Sequence, residues 1–318
     1  MKNLNLGEKT TRIAETAIIT TFMTLIIIFG FNMFPIIILF YPIPFIILGV
    51  RHKTKYNIYS ILASSILIGI LTDIFTGLLI FLVFGLISII ITYMINKKHR
   101  SQDILIGGAI ATIVAILISI AIIGYITGIS FLSQINATLS ESMKLQLEIL
   151  REMDLSTYEL TLFKDFLTVT TDYMIILIPA TIVISSVFVV YMNYWMSTAI
   201  LSRLGHKTVE IPKFMQFRLP SNAIMGSAVI IVAAILFRSM KLFYYETIFI
   251  NAVVLISFVF FMQGLSVVVF LMNRKKMHKI VKAILIFLII VNMPLSIMVS
   301  IIGLLDVVLD FRKLKKVE

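Results

Sequence analysis

The sequence predicts an all-α protein, a polytopic bundle of transmembrane helices, and three observations carry that prediction. The chain of 318 residues is 60% hydrophobic and 14% charged, whereas a soluble domain has about half its residues apolar and about a quarter charged. The apolar residues fall in blocks close to the roughly 20 residues a helix needs to cross about 30 Å of hydrocarbon. Stretches such as 104–123 are apolar on every side, where a barrel strand would alternate. Finally, 22 of the 27 lysines and arginines fall in six clusters, at 2–12, 51–55, 97–100, 203–218, 274–282 and 312–316. These six lie on one side if each apolar block crosses once and the last folds back, which is the positive-inside pattern of a cell inner membrane protein. The net charge of +11 therefore reports topology, with both termini cytoplasmic, and no nucleic-acid partner is expected.

The elements follow in order. Span 1 is expected over 13–30; the basic segment before it lacks a small-residue cleavage site, so it reads as a span and not as a removable signal. Span 2, over 33–50, carries Pro35, Pro42 and Pro44 and must be irregular, because proline removes a donor and clashes with the preceding turn. In lipid that is tolerated where neighbouring protein satisfies the freed carbonyls, which places this span inside the bundle. Spans 3 and 4, over 58–71 and 78–94, are separated by an outer turn at Asp73 and Gly77, and span 5 covers 104–129.

From 130 to 167 the character changes. Six acids face three bases, and Leu139, Met143, Leu147 and Leu150 recur at helical spacing. Ser156 and Glu159 form a capping-box pattern that starts a second helix. An amphipathic helical outer segment is expected near 137–166, lying at the interface or capping the bundle.

Span 6 is expected over 169–197 with a kink at Pro179, and Tyr191, Tyr194 and Trp195 read as an interfacial aromatic belt at its inner end. Spans 7 and 8 cover 221–237 and 248–271. The final stretch, 280–309, reads as a hairpin broken near Asn292 and Pro294, which returns the basic tail to the cytoplasm. That makes about eight full spans plus a C-terminal hairpin, the alternative being nine spans. Two membrane units are expected, 1–199 with the outer insert 130–167, and 200–318 with basic cytoplasmic loops and tail.

Chemistry-bearing motifs are few. The absence of cysteine closes thiol chemistry, and no phosphate loop, HExxH, GxSxG or dinucleotide fingerprint appears. No catalytic residue, resident metal or cofactor is expected, and ATP-driven transport would require another chain to hydrolyse the nucleotide. The four histidines lie in basic turns and are expected to be solvated or lipid-facing. Asp73 and Asp172 stand at the outer ends of spans; they read either as helix terminators at the headgroups or, with Asn32, as the lining of an outer-facing site for a small molecule. Asn222, Asn251, Gln263 and Asn292 read as interhelical glue. Asp306 and Asp310 are one helical turn apart and invite pairing with Arg312 or a nearby lysine. The run Arg274, Lys275 and Lys276 is a candidate docking point for anionic lipid or a cytoplasmic protein.

Two segments carry a family resemblance. "FRLP" at 217–220 and "GLLDVVLDFRKL" at 303–314, with the order and number of apolar blocks, resemble the YybS-like bacterial membrane proteins, which implies a multi-span helical bundle and no particular activity. The first six spans are also similar in order to the substrate-binding S subunits of energy-coupling-factor vitamin transporters. That similarity implies an energising membrane subunit and ATPase subunits as partners, docking on small residues of span 1, here Ala14 and Ala17 with Thr21 and Thr24 continuing the face. Glu15 interrupts that pattern, and the outer helices and the segments after Ser197 have no counterpart there.

Overall fold

A computed structural model describes residues 2–153, 156–206, 208–209, 211–240 and 244–313, with the side chains of 2–9 and of Asn32 outside the described set. Every regular element among these residues is helical. Helix α1 (Lys2–Leu25) runs into a π-helical turn (Ile26–Gly30). After one short turn come a 3-10 segment (Pro35–Phe40) and α2 (Pro42–His52), so the proline-rich second span is irregular as expected. Pro35 and Pro42 sit in first turns, where an amide hydrogen would have no intrahelical acceptor. Helix α3 (Thr54–Leu71) leads to α4 (Ile74–Leu79), a second π-helical turn (Ile80–Gly85) and α5 (Leu86–Asn96). Helix α6 (Ser101–Thr127) ends at Gly128, whose φ of 69° is a left-handed conformation that glycine adopts without Cβ strain.

The expected outer segment is two helices, the amphipathic α7 (Phe131–Arg151) and α8 (Thr157–Ile176), the second opened by the Ser156/Glu159 capping box. The sixth span starts later than its apolar run suggests. Residues 169–176 complete α8, the helix breaks at Leu177, and the spanning helix is α9 (Ile178–Arg203), with Pro179 in its first turn. Then follow α10 (Ala223–Ser239), α11 (Tyr245–Arg274), α12 (Lys279–Val291) and α13 (Met293–Leu309). Helices α12 and α13 meet at 100°. The break is made by Asn292, whose side chain accepts the Leu295 amide at 3.2 Å, and by Pro294 in the first turn of α13.

Seven segments among the described residues are long and apolar enough to cross a membrane, or eight if the bent pair counts as one span. At 17 residues, α10 is shorter than these; a rise of ~1.5 Å per residue carries it roughly 26 Å.

Chain contacts divide the molecule into two units, residues 1–146 with 185–211 and residues 147–184 with 212–318. In the first, Met23, Ile27, Tyr41, Phe45, Ile61 and Ile68 form one buried cluster, and Ile46, Ile87, Ile91, Ile104, Val190 and Tyr194 form another. Tyr194 thus corrects the aromatic-belt expectation in part. Its ring is buried and its hydroxyl donates to the Val209 carbonyl at 3.0 Å, while Trp195 alone of the two is exposed. His52 is also corrected: its Nε2 lies 2.6 Å from Glu15 Oε2, and Arg51 pairs with the same carboxylate at 3.0 Å. Glu15 is the reason, since it stands on the face of α1 that meets the end of α2.

In the second unit α11 and α13 touch backbone to backbone. A Cβ on Gly264 would stand 1.8 Å from the Val299 carbonyl oxygen, and one on Gly303 would stand 2.0 Å from that of Phe260. Any side chain at either position separates the helices, which is how small residues set helix packing in lipid.

Candidate functional site

The first unit is held internally by neutral polar groups. Thr16, Thr20 and Thr24 recur every four residues on α1, and Ser60 and Ser64 do so on α3, so the two rows face each other over two turns. Thr20 and Ser60 hydroxyls lie 2.7 Å apart and those of Thr24 and Ser64 2.9 Å apart; the buried Tyr41 hydroxyl donates to Ser64 at 2.8 Å. Further along α3, buried Asn57 donates to Ser88 Oγ at 2.8 Å and Thr92 Oγ1 at 2.7 Å, and its Nδ2 lies 3.0 Å from the Phe45 carbonyl, tying α2, α3 and α5. In a low-dielectric interior an unpaired polar group is costly, which favours these contacts between helices.

Beside this seam lies a cavity of about 330 Å³. Ile27 of the first π turn, Phe31 of the short turn after it and Ile38 of the 3-10 segment line one part; Leu79 and, from the second π turn, Ile80, Val83 and Phe84 line the other. Among the described residues Thr76 is the one polar residue in the lining. All three non-α helical segments of this unit therefore converge on one space. A π turn admits an extra residue and shifts the phase of the side chains after it, and such turns are frequent at functional sites. Irregular backbone at membrane depth is stable where it is buried in protein or lines a cavity, and each of these segments contributes to the lining of this one.

Asp73 stands next to this space. It is exposed, caps α4, and accepts from the Thr76 amide at 2.9 Å through Oδ1 and from the Thr76 hydroxyl through Oδ2. These bonds, the hydroxyl first, hold its carboxyl below the usual aspartate range. The other expected site residues are placed differently. Asp172 is an exposed residue of α8 in the second unit, and the Asn32 side chain lies outside the described residues. Ala14 and Ala17 are exposed on α1 together with Thr21, whereas Thr24 faces inward to Ser64. Arg274, Lys275 and Lys276 are exposed at the end of α11, with Lys276 at a φ of 52°.

The second unit contains a buried charge pair. Asp310 ends α13 in the left-handed conformation at a φ of 47°, which turns the chain back and brings Arg312 over the last turn of the helix. Arg312 Nη2 donates to Asp306 Oδ2 at 2.9 Å, and the two side chains are 1% and 2% exposed. The other guanidinium donors reach the Met215 carbonyl at 2.8 Å, Ser266 Oγ at 2.7 Å, the Phe217 carbonyl at 2.9 Å and, through Nε, Asp306 again. All five donors of the guanidinium are thereby used. Gln263 completes the cluster, donating to Asp306 Oδ2 at 2.7 Å and accepting the Leu219 amide at 3.0 Å. Asp306 Oδ1 is buried with no partner among the described residues. Of the two expected carboxylates, then, Asp306 takes the arginine and Asp310 makes the turn. Asn251 bridges as expected, accepting the Ala180 amide and donating to the Ile176 carbonyl, each at 2.7 Å.

The cluster physically joins the two segments whose wording is distinctive, because Arg312 binds the carbonyls of 215 and 217 and Gln263 binds the amide of 219. Comparison with known proteins agrees with the family resemblance. The chain is 22% identical over 305 residues to "Uncharacterized protein YybS" of Bacillus subtilis (strain 168), covering 94% of this chain and 96% of that protein. No solved structure matches the chain. Residues 17–307 match the family described as "Predicted membrane protein (DUF2232)", and the chain belongs to that family of multi-pass membrane proteins.

Proposed function

We propose that this protein is a solute-capturing subunit of a membrane transporter, with the cavity of the first unit as its binding site and separate ATPase subunits as its energy source. The observation that supports this reading is the convergence of both π turns and the 3-10 segment on one cavity of about 330 Å³, within the size range of small-molecule sites. Asp73 beside it supplies a negative rim. By the charge rule the Asp73 turn faces outward from an inner membrane with both termini cytoplasmic. The exposed Ala14, Ala17 and Thr21 are the proposed contact for an energising membrane subunit.

Gentle purification from native membranes, with mass spectrometry of proteins and small molecules together, tests it. A stoichiometric small molecule that is lost on Val83→Trp, which fills the cavity, supports the reading, as does recovery of an ATPase with its membrane partner. If neither is recovered, the reading fails. Because cysteine is absent, single replacements test orientation: Ser142→Cys is labelled from outside and Ser202→Cys from the cytoplasm.

The exposed run Arg274, Lys275 and Lys276 favours a second reading, a scaffold that recruits anionic lipid or a soluble partner. It expects a cytoplasmic protein to co-purify and to be lost when the three are replaced by glutamine.

A further inference from the structure

We infer that the cavity takes an amphipathic cation, a molecule with an apolar body and one positively charged head, the body lying among Ile27, Ile38, Leu79 and Val83 and the head at Asp73. This deepens the solute-binding reading and rests on it.

The walls decide the body. Apart from Thr76 the described residues of the lining are apolar, and Thr76 already gives its hydroxyl hydrogen to Asp73. A sugar, nucleotide or amino acid would leave its polar groups unpaired against these walls, and each unpaired group is costly in an apolar site. An apolar chain or ring system has no such groups and gains by leaving water.

Charge decides the head. An ionised carboxylate accepts and never donates, and each oxygen has about two acceptor positions. The Thr76 amide and hydroxyl and the Phe75 amide bond Asp73, which leaves its exposed carboxylate one of about four acceptor positions. No ion-pair partner of Asp73 is present among the described residues. A carboxylate so placed attracts an ammonium and repels a phosphate or sulfate, which also disfavours the anionic lipids of the surrounding bilayer.

Photolabelling of the full-length protein in nanodiscs tests the inference, using decylammonium carrying a diazirine, the matched decyl sulfate and the matched decanol, followed by peptide mapping. The ammonium probe is expected to label peptides 26–38 and 76–85 and to be displaced by unlabelled decylammonium. The alcohol should label more weakly and the sulfate least. Asp73→Asn keeps the cap, since asparagine caps as well as aspartate, and should weaken ammonium labelling about fivefold, the scale of an exposed ion pair. Leu79→Trp should abolish labelling by all three probes. Equal labelling by the three, unchanged in Asp73→Asn, would overturn the charged head while leaving the cavity a binding site. Labelling that ignores Leu79→Trp would sink the cavity reading itself.

Discussion

Both units bury polar side chains, and they hold them by different chemistry. The first uses hydroxyls and amides in pairs: Thr20 with Ser60, Thr24 with Ser64 and Tyr41, Asn57 with Ser88 and Thr92. Each contact is neutral, and the threonines of α1 have a fallback, since a threonine in a helix also bonds the carbonyl four residues back, as Thr24 does to Thr20. The second unit concentrates its polarity in one ion pair, Arg312 with Asp306, and in a glycine contact with no space to spare. The comparison teaches where each unit is brittle. A neutral seam loses its contacts one at a time, and a buried charge left alone has no fallback.

The largest expected effect is therefore at Arg312. Arg312→Met strands the Asp306 carboxylate and the carbonyls of 215 and 217, and should cost about 3–5 kcal/mol, read as a lowered unfolding midpoint in detergent. The double replacement Arg312→Met with Asp306→Leu should recover much of the loss, because replacing both partners removes the stranded charge. If the double variant is no better than the single, charge is not what makes this unit brittle.

Gly264→Ala comes next. The added methyl meets the Val299 carbonyl at 1.8 Å, so α11 and α13 must part, at a cost of about 1–3 kcal/mol by the same measurement. Ser64→Ala in the first unit should cost only about 0.6 kcal/mol, the average for interhelical hydrogen bonds in a membrane protein. A loss at Ser64 as large as that at Arg312 would erase the contrast between the units.

The smallest effect is that of pH on Asp73. Its carboxyl is held below the ordinary range by the Thr76 hydroxyl and amide, so the charge persists into acid. What the cap of α4 contributes is complete above the ordinary aspartate range and is lost as pH falls through the lowered value. Preference for decylammonium over decanol should follow the same course, holding through mild acid. A preference that vanishes at or above the ordinary aspartate range would point to a different group.

Much of the fold was legible because lipid imposes simple rules. Block length located the spans, Pro35, Pro42 and Pro44 foretold the irregular second one, and Asn292 with Pro294 foretold the break between α12 and α13. Span 6 misled because 169–176 is apolar enough to pass for membrane, while the break is set by Pro179 further on. The candidate cavity was not legible at all. A π turn is one extra residue in a helix and leaves no compositional trace in "IIIFG" or "IFLVFG". The hydroxyl seam did leave one, threonines at 16, 20 and 24 and serines at 60 and 64, each row repeating every four residues. The expected pairing of Asp306 came from spacing alone. Gln263 and the carbonyls of 215 and 217 joined it only through the fold, because Gln263 is 43 residues from Asp306 and the two carbonyls are 97 and 95 residues from Arg312.

The placement of Arg312 has a further consequence for how the protein is made. Residues 215–217 leave the ribosome long before residue 312 is joined to the chain, and until then the carbonyls of 215 and 217 lack the guanidinium that binds them, and Gln263 lacks Asp306. Insertion of the earlier helices can be finished while this unit is still open. A nascent chain halted short of residue 312 thus lacks the cation that Asp306 and the carbonyls of 215 and 217 share in the finished unit.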